Sequence, residues 1–272
     1  MNELFRPLSW ILLITVFSLP GIPFSAWAAT QDAEKNTLLF GHDDRQPATT
    51  DASPWSAIAQ IETAGQNLCS GILIAPQWVL SAGHCFIAAN RRQQAALTVR
   101  LAGHPHQSQQ PDRLLLPREL AAGLTATGDS FIITPVASRY DVALLHLPSP
   151  VHTITPILLW SGDRHSLQIA LDQQRYQASQ GGYAQDSLDT LLVHSRCQIR
   201  KLNAQGILEH RCDTLPGDSG SPLLLPTVQG WRVIGIQSSA PDASNRWRAD
   251  NLALAIPTIK AQLDRWMRSS IT

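Results

Sequence analysis

The chain has 272 residues, no formal net charge at neutral pH, 44% hydrophobic residues and 15% charged residues, which is the composition of an ordinary globular protein. It contains no basic block and no basic patch interleaved with aromatic residues, so the usual signature of a nucleic-acid-binding protein is absent. Its 18 prolines and 16 glycines predict many turns, as in an all-β protein.

The first 28 residues have the pattern of a secretory signal peptide. Arg6 precedes an apolar run over residues 8–19, and Ala26, Trp27 and Ala28 fit the small-x-small pattern of a cleavage site. A helix needs about 20 apolar residues to span a bilayer, and this run is shorter. An uncleaved signal anchor is the second interpretation. We predict an exported protein, periplasmic or secreted, whose mature chain starts at Ala29 and has no membrane span.

The rest of the chain is predicted to be a β-rich body preceded by an arm. Residues 29–53 are polar and turn-rich, which indicates a pro-segment or N-terminal arm. Residues 103–130, rich in Gln and Pro, are predicted to form a surface insertion, and Pro257 is expected to open a C-terminal helix with one apolar face. The predicted strands cover residues 54–61, 68–73, 77–80, 97–102, 131–136, 141–147, 191–202, 207–212, 223–225, 231–237 and 251–256.

Residues 212–222, with the sequence CDTLPGDSGSP, carry the strongest chemical signal. An acyl-transfer nucleophile needs an exposed hydroxyl on a rigid turn, with backbone N–H groups that converge on the developing oxyanion. The glycines on either side of Ser219 allow backbone conformations that residues with a Cβ avoid. An ordinary turn between two strands is the alternative interpretation.

Two candidate partners of Ser219 lie upstream. His84 follows an apolar strand and a small-residue turn in WVLSAGHC, and Asp141 opens an apolar strand in RYDVALLHL. A carboxylate at the start of a buried strand can be held in the low-dielectric setting that orients a catalytic histidine. A lone histidine or aspartate is more often structural. The order His84, Asp141, Ser219 is nevertheless the chymotrypsin order, not that of subtilisin or the α/β-hydrolases.

These motifs resemble those of the chymotrypsin/trypsin-like serine peptidases, and the Gly220-Ser221-Pro222 ending is similar to the bacterial glutamyl endopeptidase branch. The resemblance implies an all-β fold of two six-stranded antiparallel barrels with a C-terminal helix. The first barrel would cover residues 54–150, with His84 and Asp141, and the second residues 151–272, with Ser219.

The same resemblance implies a serine endopeptidase with a polypeptide substrate, no metal, no organic cofactor and a monomeric state. His84, Asp141 and Ser219 would be its catalytic residues. The backbone N–H groups of Gly217 and Ser219 would form the oxyanion hole, and Ser238 would line the cleft beside the buried aspartate. A non-catalytic binding protein on the same fold is the competing interpretation, because a fold alone does not determine function.

The four cysteines lie in the part of the chain predicted to be exported, where disulfides are expected. The resemblance implies a bridge between Cys69 and Cys85. If residues 203–206 form the loop of a hairpin, Cys197 and Cys212 face each other across the ladder, close enough for a second bridge. That second bridge departs from the family pattern. A zinc site is the alternative, but no Cys-x-x-Cys spacing supports it.

The specificity of such a peptidase has competing predictions. Asp213 lies six residues before Ser219, and in trypsin-like members an aspartate at this spacing sits at the base of the primary pocket and pairs with Arg or Lys. We therefore expect cleavage after Arg or Lys. In one alternative, Asp213 only braces the loop. In the other, Arg246 and Arg248 favour an acidic substrate, although the histidine that glutamyl endopeptidases use is replaced by Gln237.

Activation is a further expectation from the resemblance. In the animal enzymes, an acid directly before the nucleophile pairs with the new N-terminus that forms when a pro-segment is removed. Asp218 occupies that position, and Leu38, which opens the short apolar segment LLFG, is the candidate N-terminus.

Overall fold

The computed structural model describes residues 24–127 and 130–269, so most of the predicted signal peptide, residues 1–23, lies outside the described residues. The helices are α1 (Phe24–Leu38), α2 (Arg164–Gln173) and α3 (Ile256–Ser269). The strands are β1 (Gln46–Pro47), β2 (Ile58–Thr63), β3 (Leu68–Ala75), β4 (Trp78–Ser81), β5 (Ala96–Leu101), β6 (Ser108–Gln109), β7 (Arg113–Leu115), β8 (Leu124–Thr127), β9 (Ser130–Ile133), β10 (Ala143–His146), β11 (Gln177–Gly182), β12 (Leu192–Leu202), β13 (Ile207–His210), β14 (Pro222–Thr227), β15 (Gly230–Ser239) and β16 (Asn251–Ala255).

The C-terminal half contains a closed antiparallel barrel. Its strand order is β12-β11-β14-β15-β16-β13, and the pairing of β12 with β13 closes the ring of six strands. Its interior is filled by buried aliphatic side chains such as Leu208, Leu223 and Ile234. The short strand β1 of the N-terminal arm pairs with β12 on the outside of this barrel.

The N-terminal half forms a curled sheet that is not a closed six-stranded barrel. Its order is β6-β5-β2-β3-β4-β10-β7, so β6 and β7 are its two edges. These edge strands are separated in sequence by residues 110–112 only. Pro111 has no N–H to donate to a ladder, which explains an interruption at this position. The expected β-rich class is thus confirmed, with one closed barrel and one open sheet.

Residues 103–130 are more than the surface insertion that their composition predicts. The strand β7 in this stretch pairs with β10, and β8 and β9 form a separate hairpin. Leu120 and Leu124 are fully buried and pack with Ile87, three residues after His84. The stretch therefore supports the segment that carries His84.

Two helices were not expected from the sequence, whereas the third was. Helix α1 covers part of the arm predicted to be turn-rich, and helix α2 starts after Asp163, whose carboxylate caps it by accepting the Ser166 N–H. Helix α3 was predicted, and its residues Ile259 and Leu263 are buried in the core.

Both predicted disulfides are confirmed. Cys69 is bonded to Cys85 and Cys197 to Cys212, so none of the four thiols is free to ligate a metal. In the hairpin that carries the second bridge, Ile199 lies opposite His210, and the loop between β12 and β13 is residues 203–206 as predicted.

Candidate active site

The three residues selected from the sequence meet between the two halves of the molecule. His84 begins a short 3-10 turn after β4, Asp141 lies two residues before the start of β10, and Ser219 lies on the loop before β14. His84 Nε2 is 2.9 Å from Ser219 Oγ, and His84 Nδ1 is 2.9 Å from Asp141 Oδ2. Ser219 is half-buried and Asp141 is completely buried, so the hydroxyl is reachable and the carboxylate is shielded.

The buried Asp141 carboxylate has three hydrogen-bond partners that stabilise its charge. The backbone N–H of His84 donates to Oδ1, and the Ser238 hydroxyl donates to Oδ2, which also faces His84 Nδ1. Burial of His84 favours the neutral imidazole, but the charge and the hydrogen bond of Asp141 outweigh it. The pKa of His84 is therefore raised above its usual value of 6.5.

Ser70 of β3 attaches the loop that carries Ser219 to the N-terminal sheet. Its backbone N–H donates to Ser219 O, and its hydroxyl donates to Gly217 O. At Gly220 the backbone has φ +85°, and a Cβ there would come within 2.3 Å of Ser70 O. Only glycine tolerates both the left-handed conformation and this close approach, which explains the residue that follows Ser219.

The predicted oxyanion-hole donors are free in the structure. Gly217 has φ +101°, and a Cβ there would lie 2.5 Å from Tyr183 O. Among the described residues, neither the Gly217 N–H nor the Ser219 N–H has a hydrogen-bond acceptor, whereas the Asp218 N–H between them donates to Leu215 O. Two free backbone donors, one on Ser219 and one two residues before it, are the arrangement that stabilises an acyl-transfer oxyanion.

Comparison with known protein families matches residues 43–257 to the family described as Trypsin. The match covers most of the chain and includes all three residues of the cluster. The chain belongs to the trypsin family.

Named relatives of this trypsin-family chain are distant in sequence. It is 26% identical over 210 residues to "Transmembrane protease serine 5" of Homo sapiens, covering 68% of this chain and 43% of that protein. It is 25% identical over 182 residues to "Trypsin" of Squalus acanthias, covering 64% of this chain and 75% of that one. The chain thus spans less than half the length of the human relative.

Comparison with solved structures supports the same fold. The "Structure of Glu endopeptidase in complex with MPD" superposes with a TM-score of 0.61 over 81% of this chain and 95% of that chain, at 20% identity. At this identity the likeness shows the chymotrypsin-like fold alone.

Asp213, the candidate for the base of the primary pocket, is engaged by the N-terminal arm. Its carboxylate Oδ2 accepts the backbone N–H of Asp44 at 2.7 Å and lies 3.1 Å from His194 Nδ1. The Asp213 N–H in turn donates to His194 Nδ1. Asp44, His194 and Asp213 also form the one group of potential metal ligands found in residues 24–127 and 130–269. Asp213 Oδ2 and His194 Nδ1 already accept backbone donors, so we interpret the group as an anchor for the arm.

A buried polar network that was not predicted from the sequence lies behind the loop that carries Ser219. His210 is completely buried, and its Nε2 lies 2.7 Å from Gln237 Oε1 while its Nδ1 accepts the Cys212 N–H. Burial lowers the pKa of His210 to about 3, so this imidazole is neutral. Asn251 donates to Cys212 O and accepts from Arg246. His210 lies in a polar hairpin and Arg246 in a loop, and nothing in the sequence around either residue indicates that it belongs to a buried network.

Asp218, the predicted partner of a new N-terminus, is buried beside the arm. Its Oδ2 accepts the Leu215 N–H, and Leu215 packs with the fully buried Leu39. Burial raises the pKa of Asp218 to about 7, partly offset by that hydrogen bond. A buried carboxylate with so little compensation is costly to ionise.

Proposed function

We propose that this protein is a serine endopeptidase in which Ser219 attacks the scissile carbonyl of a polypeptide. The observation that carries the proposal is the continuous hydrogen-bonded line from Ser219 Oγ through His84 to the buried Asp141. Within this line His84 accepts the proton of the hydroxyl and later returns it to the leaving amine. Asp141 holds the tautomer of His84 and stabilises the imidazolium.

The backbone N–H groups of Gly217 and Ser219 complete the proposed mechanism. They would bind the oxygen that becomes negatively charged in the tetrahedral intermediate, since neither N–H donates a hydrogen bond to any described residue. No group outside the chain's own residues is needed for acyl transfer by this route. The proposal also includes export, which the pattern of residues 1–28 supports, and a monomeric state, which the family resemblance implies.

The contacts of Asp213 favour a bracing role over the expected pairing with Arg or Lys. Its side chain is buried, and its carboxylate is already bonded to the arm through the Asp44 N–H. A substrate cation would have to compete for this carboxylate. We therefore propose the endopeptidase activity without a preference for basic residues.

The test is peptide turnover by purified wild type and Ser219→Ala. We expect the variant to unfold at the same temperature and to lose activity by a factor on the order of 10⁶, as for other triads. Ser221→Ala is the matched control, because the Ser221 hydroxyl accepts from Gln180 and does not contact His84. A loss below about tenfold in Ser219→Ala would show that Ser219 is not the nucleophile. A folded wild type without turnover on any peptide would favour the binding-protein alternative.

A further inference from the structure

Arg45, directly before β1, is a buried cation that joins the N-terminal arm to the loop of residues 183–191 between β11 and β12. Its side chain is 3% exposed. Its Nε and Nη2 donate to the two oxygens of Asp43, and its Nη1 and Nη2 donate to the two oxygens of Asp186 at 3.2 and 2.8 Å. Bidentate pairs of this kind fix geometry as well as charge. Asp186 is therefore held in one position relative to the arm.

The loop 183–191 contacts the segment that carries the oxyanion donors. The N–H of Gln185, the neighbour of Asp186, donates to Pro216 O at 2.7 Å. A Cβ on Gly217 would lie 2.5 Å from Tyr183 O, so the loop approaches this glycine closely. Gln185 and Asp186 are exposed, so little packing holds this part of the loop in place. The ion pair with the arm supplies a restraint that packing does not.

The hydrogen bond to Pro216 O determines the direction of the Gly217 N–H. The carbonyl of Pro216 and the N–H of Gly217 belong to one planar trans peptide, so they point in opposite directions. With its oxygen held by Gln185, this peptide directs its N–H away from the loop 183–191, to a place where no described residue accepts it. Gly217 has φ +101° and no Cβ, so its own conformation does not prevent the peptide from rotating by half a turn. The rotated peptide would present a carbonyl oxygen where the oxyanion needs a donor.

We propose that Arg45 is a positioning residue for the oxyanion hole. By holding Asp186, it keeps the Gln185 N–H on Pro216 O and thereby keeps the Gly217 N–H directed at the substrate. The inference rests on the proposed endopeptidase function. Arg45 contacts no residue of the triad and acts only through the loop 183–191. The arm is then a part of the catalytic apparatus.

The positioning contacts do not depend on whether the chain is cut before Leu38. Arg45 follows that position, and so does Leu39, whose buried side chain packs against the loop 183–191. Lys35 precedes it and lies 2.7 Å from Asp186, but its side chain is 39% exposed. Ion pairs of exposed side chains contribute little, so we assign the positioning role to Arg45 and not to Lys35.

The experiment compares turnover and the affinity of two inhibitors in wild type and Arg45→Gln. The substrate is a peptide that wild type cleaves. The inhibitors are the matching peptide aldehyde, to which the Ser219 hydroxyl adds so that the aldehyde oxygen enters the oxyanion hole, and the peptide alcohol, which only fills the cleft. We expect kcat to fall by about 10²-fold, as when one oxyanion donor is removed, and the Ki of the aldehyde to rise by a similar factor. KM and the Ki of the alcohol should stay within a few fold.

Variants of the partner and of a remote ion pair complete the experiment. Asp186→Asn should lower kcat as far as Arg45→Gln does, and the double variant should lower it no further, because residues that act as a unit are not additive. Arg45→Lys keeps the charge but not the bidentate geometry, so we expect a loss of about tenfold. Arg200→Gln is the matched control. It breaks an Arg–Asp pair whose arginine is 52% exposed, and it should leave kcat and both Ki values unchanged.

The two inhibitors separate positioning from a purely structural role. Wild-type kcat and aldehyde affinity in Arg45→Gln would overturn the inference even if the melting temperature falls, because Arg45 would then only support the fold. An equal loss of aldehyde and alcohol affinity would also overturn it, because the effect would lie in the cleft. If Arg45→Gln does not fold, Asp186→Asn and Arg45→Lys are judged by the same criteria. A folded wild type that cleaves no peptide would refute the proposed function itself, and the inference with it.

Discussion

The Ser238 hydroxyl donates to Asp141 Oδ2, the same carboxylate oxygen that lies 2.9 Å from His84 Nδ1. Ser238 belongs to β15 of the closed barrel, whereas Asp141 precedes β10 of the open sheet. A side chain from one half of the molecule thus fixes the acid supplied by the other. The position of the histidine depends on how the two halves pack.

Replacement of Ser238 by Ala tests this relationship. The change removes one of three donors to a buried carboxylate, a bond to a charged group that is worth about 1.5–3 kcal/mol. We expect kcat to fall by about tenfold while KM for the same peptide stays within a few fold, since the variant alters the triad and not the pocket. The neighbouring Ser239→Ala is the control, because Ser239 contributes its backbone O, not its hydroxyl, to the Gln237 contact. Equal activities of the two variants would contradict the role given to Ser238.

The pH dependence of activity follows from the raised pKa of His84. The general base must be neutral, so activity rises as the imidazolium loses its proton with increasing pH. Because Asp141 raises the pKa of His84, the midpoint of the acid limb of kcat/KM is expected above 6.5. Asp141→Asn removes the charge that raises this pKa and should move the midpoint down. A wild-type midpoint at or below 6.5 would contradict the electrostatic account.

The stability of the uncut chain should depend on pH through Asp218. Its pKa is raised from 3.8 to about 7 in the folded protein, so folding favours the protonated acid. Stability is then highest below about 4 and is lost as the pH rises through about 7, by an amount on the order of 4 kcal/mol. Urea unfolding of Ser219→Ala with and without Asp218→Asn at pH 5 and pH 8 measures this, since the inactive background prevents self-cleavage. Asp218→Asn should reduce the decrease in unfolding free energy between pH 5 and pH 8. An unchanged decrease would show that Asp218 is not its source.

Cleavage of the chain before Leu38 should create a new α-amino group that compensates the negative charge of Asp218. Helix α1 ends at Leu38, and the following Leu39 is buried against Leu215, whose N–H bonds to Asp218. A new α-amino group in this cluster is expected to pair with the carboxylate, to flatten the pH dependence of stability and to raise activity. N-terminal sequencing of the active protein is the measurement. Full activity in protein that still begins at Ala29 would contradict this activation route.

Much of the fold and of the site was predictable because the signals are local. Each of the three catalytic candidates stands next to a short apolar run: His84 follows one, whereas Asp141 and Ser219 precede one. Strand ends are where a β-fold presents side chains to a cleft. The Cys197–Cys212 bridge followed from hairpin geometry alone, because a four-residue loop fixes which residues face each other.

The features that were missed depend on contacts between distant segments. Arg246 is a polar loop residue in the sequence, and its burial depends on Phe40 of the arm, about two hundred positions away. The bracing of Asp213 depends on Asp44 in the same way. Helix α2 is short, and its main signal, the capping by Asp163, is equally typical of a turn. The gap between β6 and β7 at Pro111 could be predicted only with knowledge of which strands pair.

The central claim is that Ser219 is a nucleophile activated by His84, and covalent labelling tests it most directly. The protein is treated with a fluorophosphonate, and the modified residue is identified by mass spectrometry of its peptides. We predict one label per chain, on Ser219, with no label in Ser219→Ala and much slower labelling in His84→Ala. A folded wild type that is not labelled, or is labelled at another serine, would contradict the account.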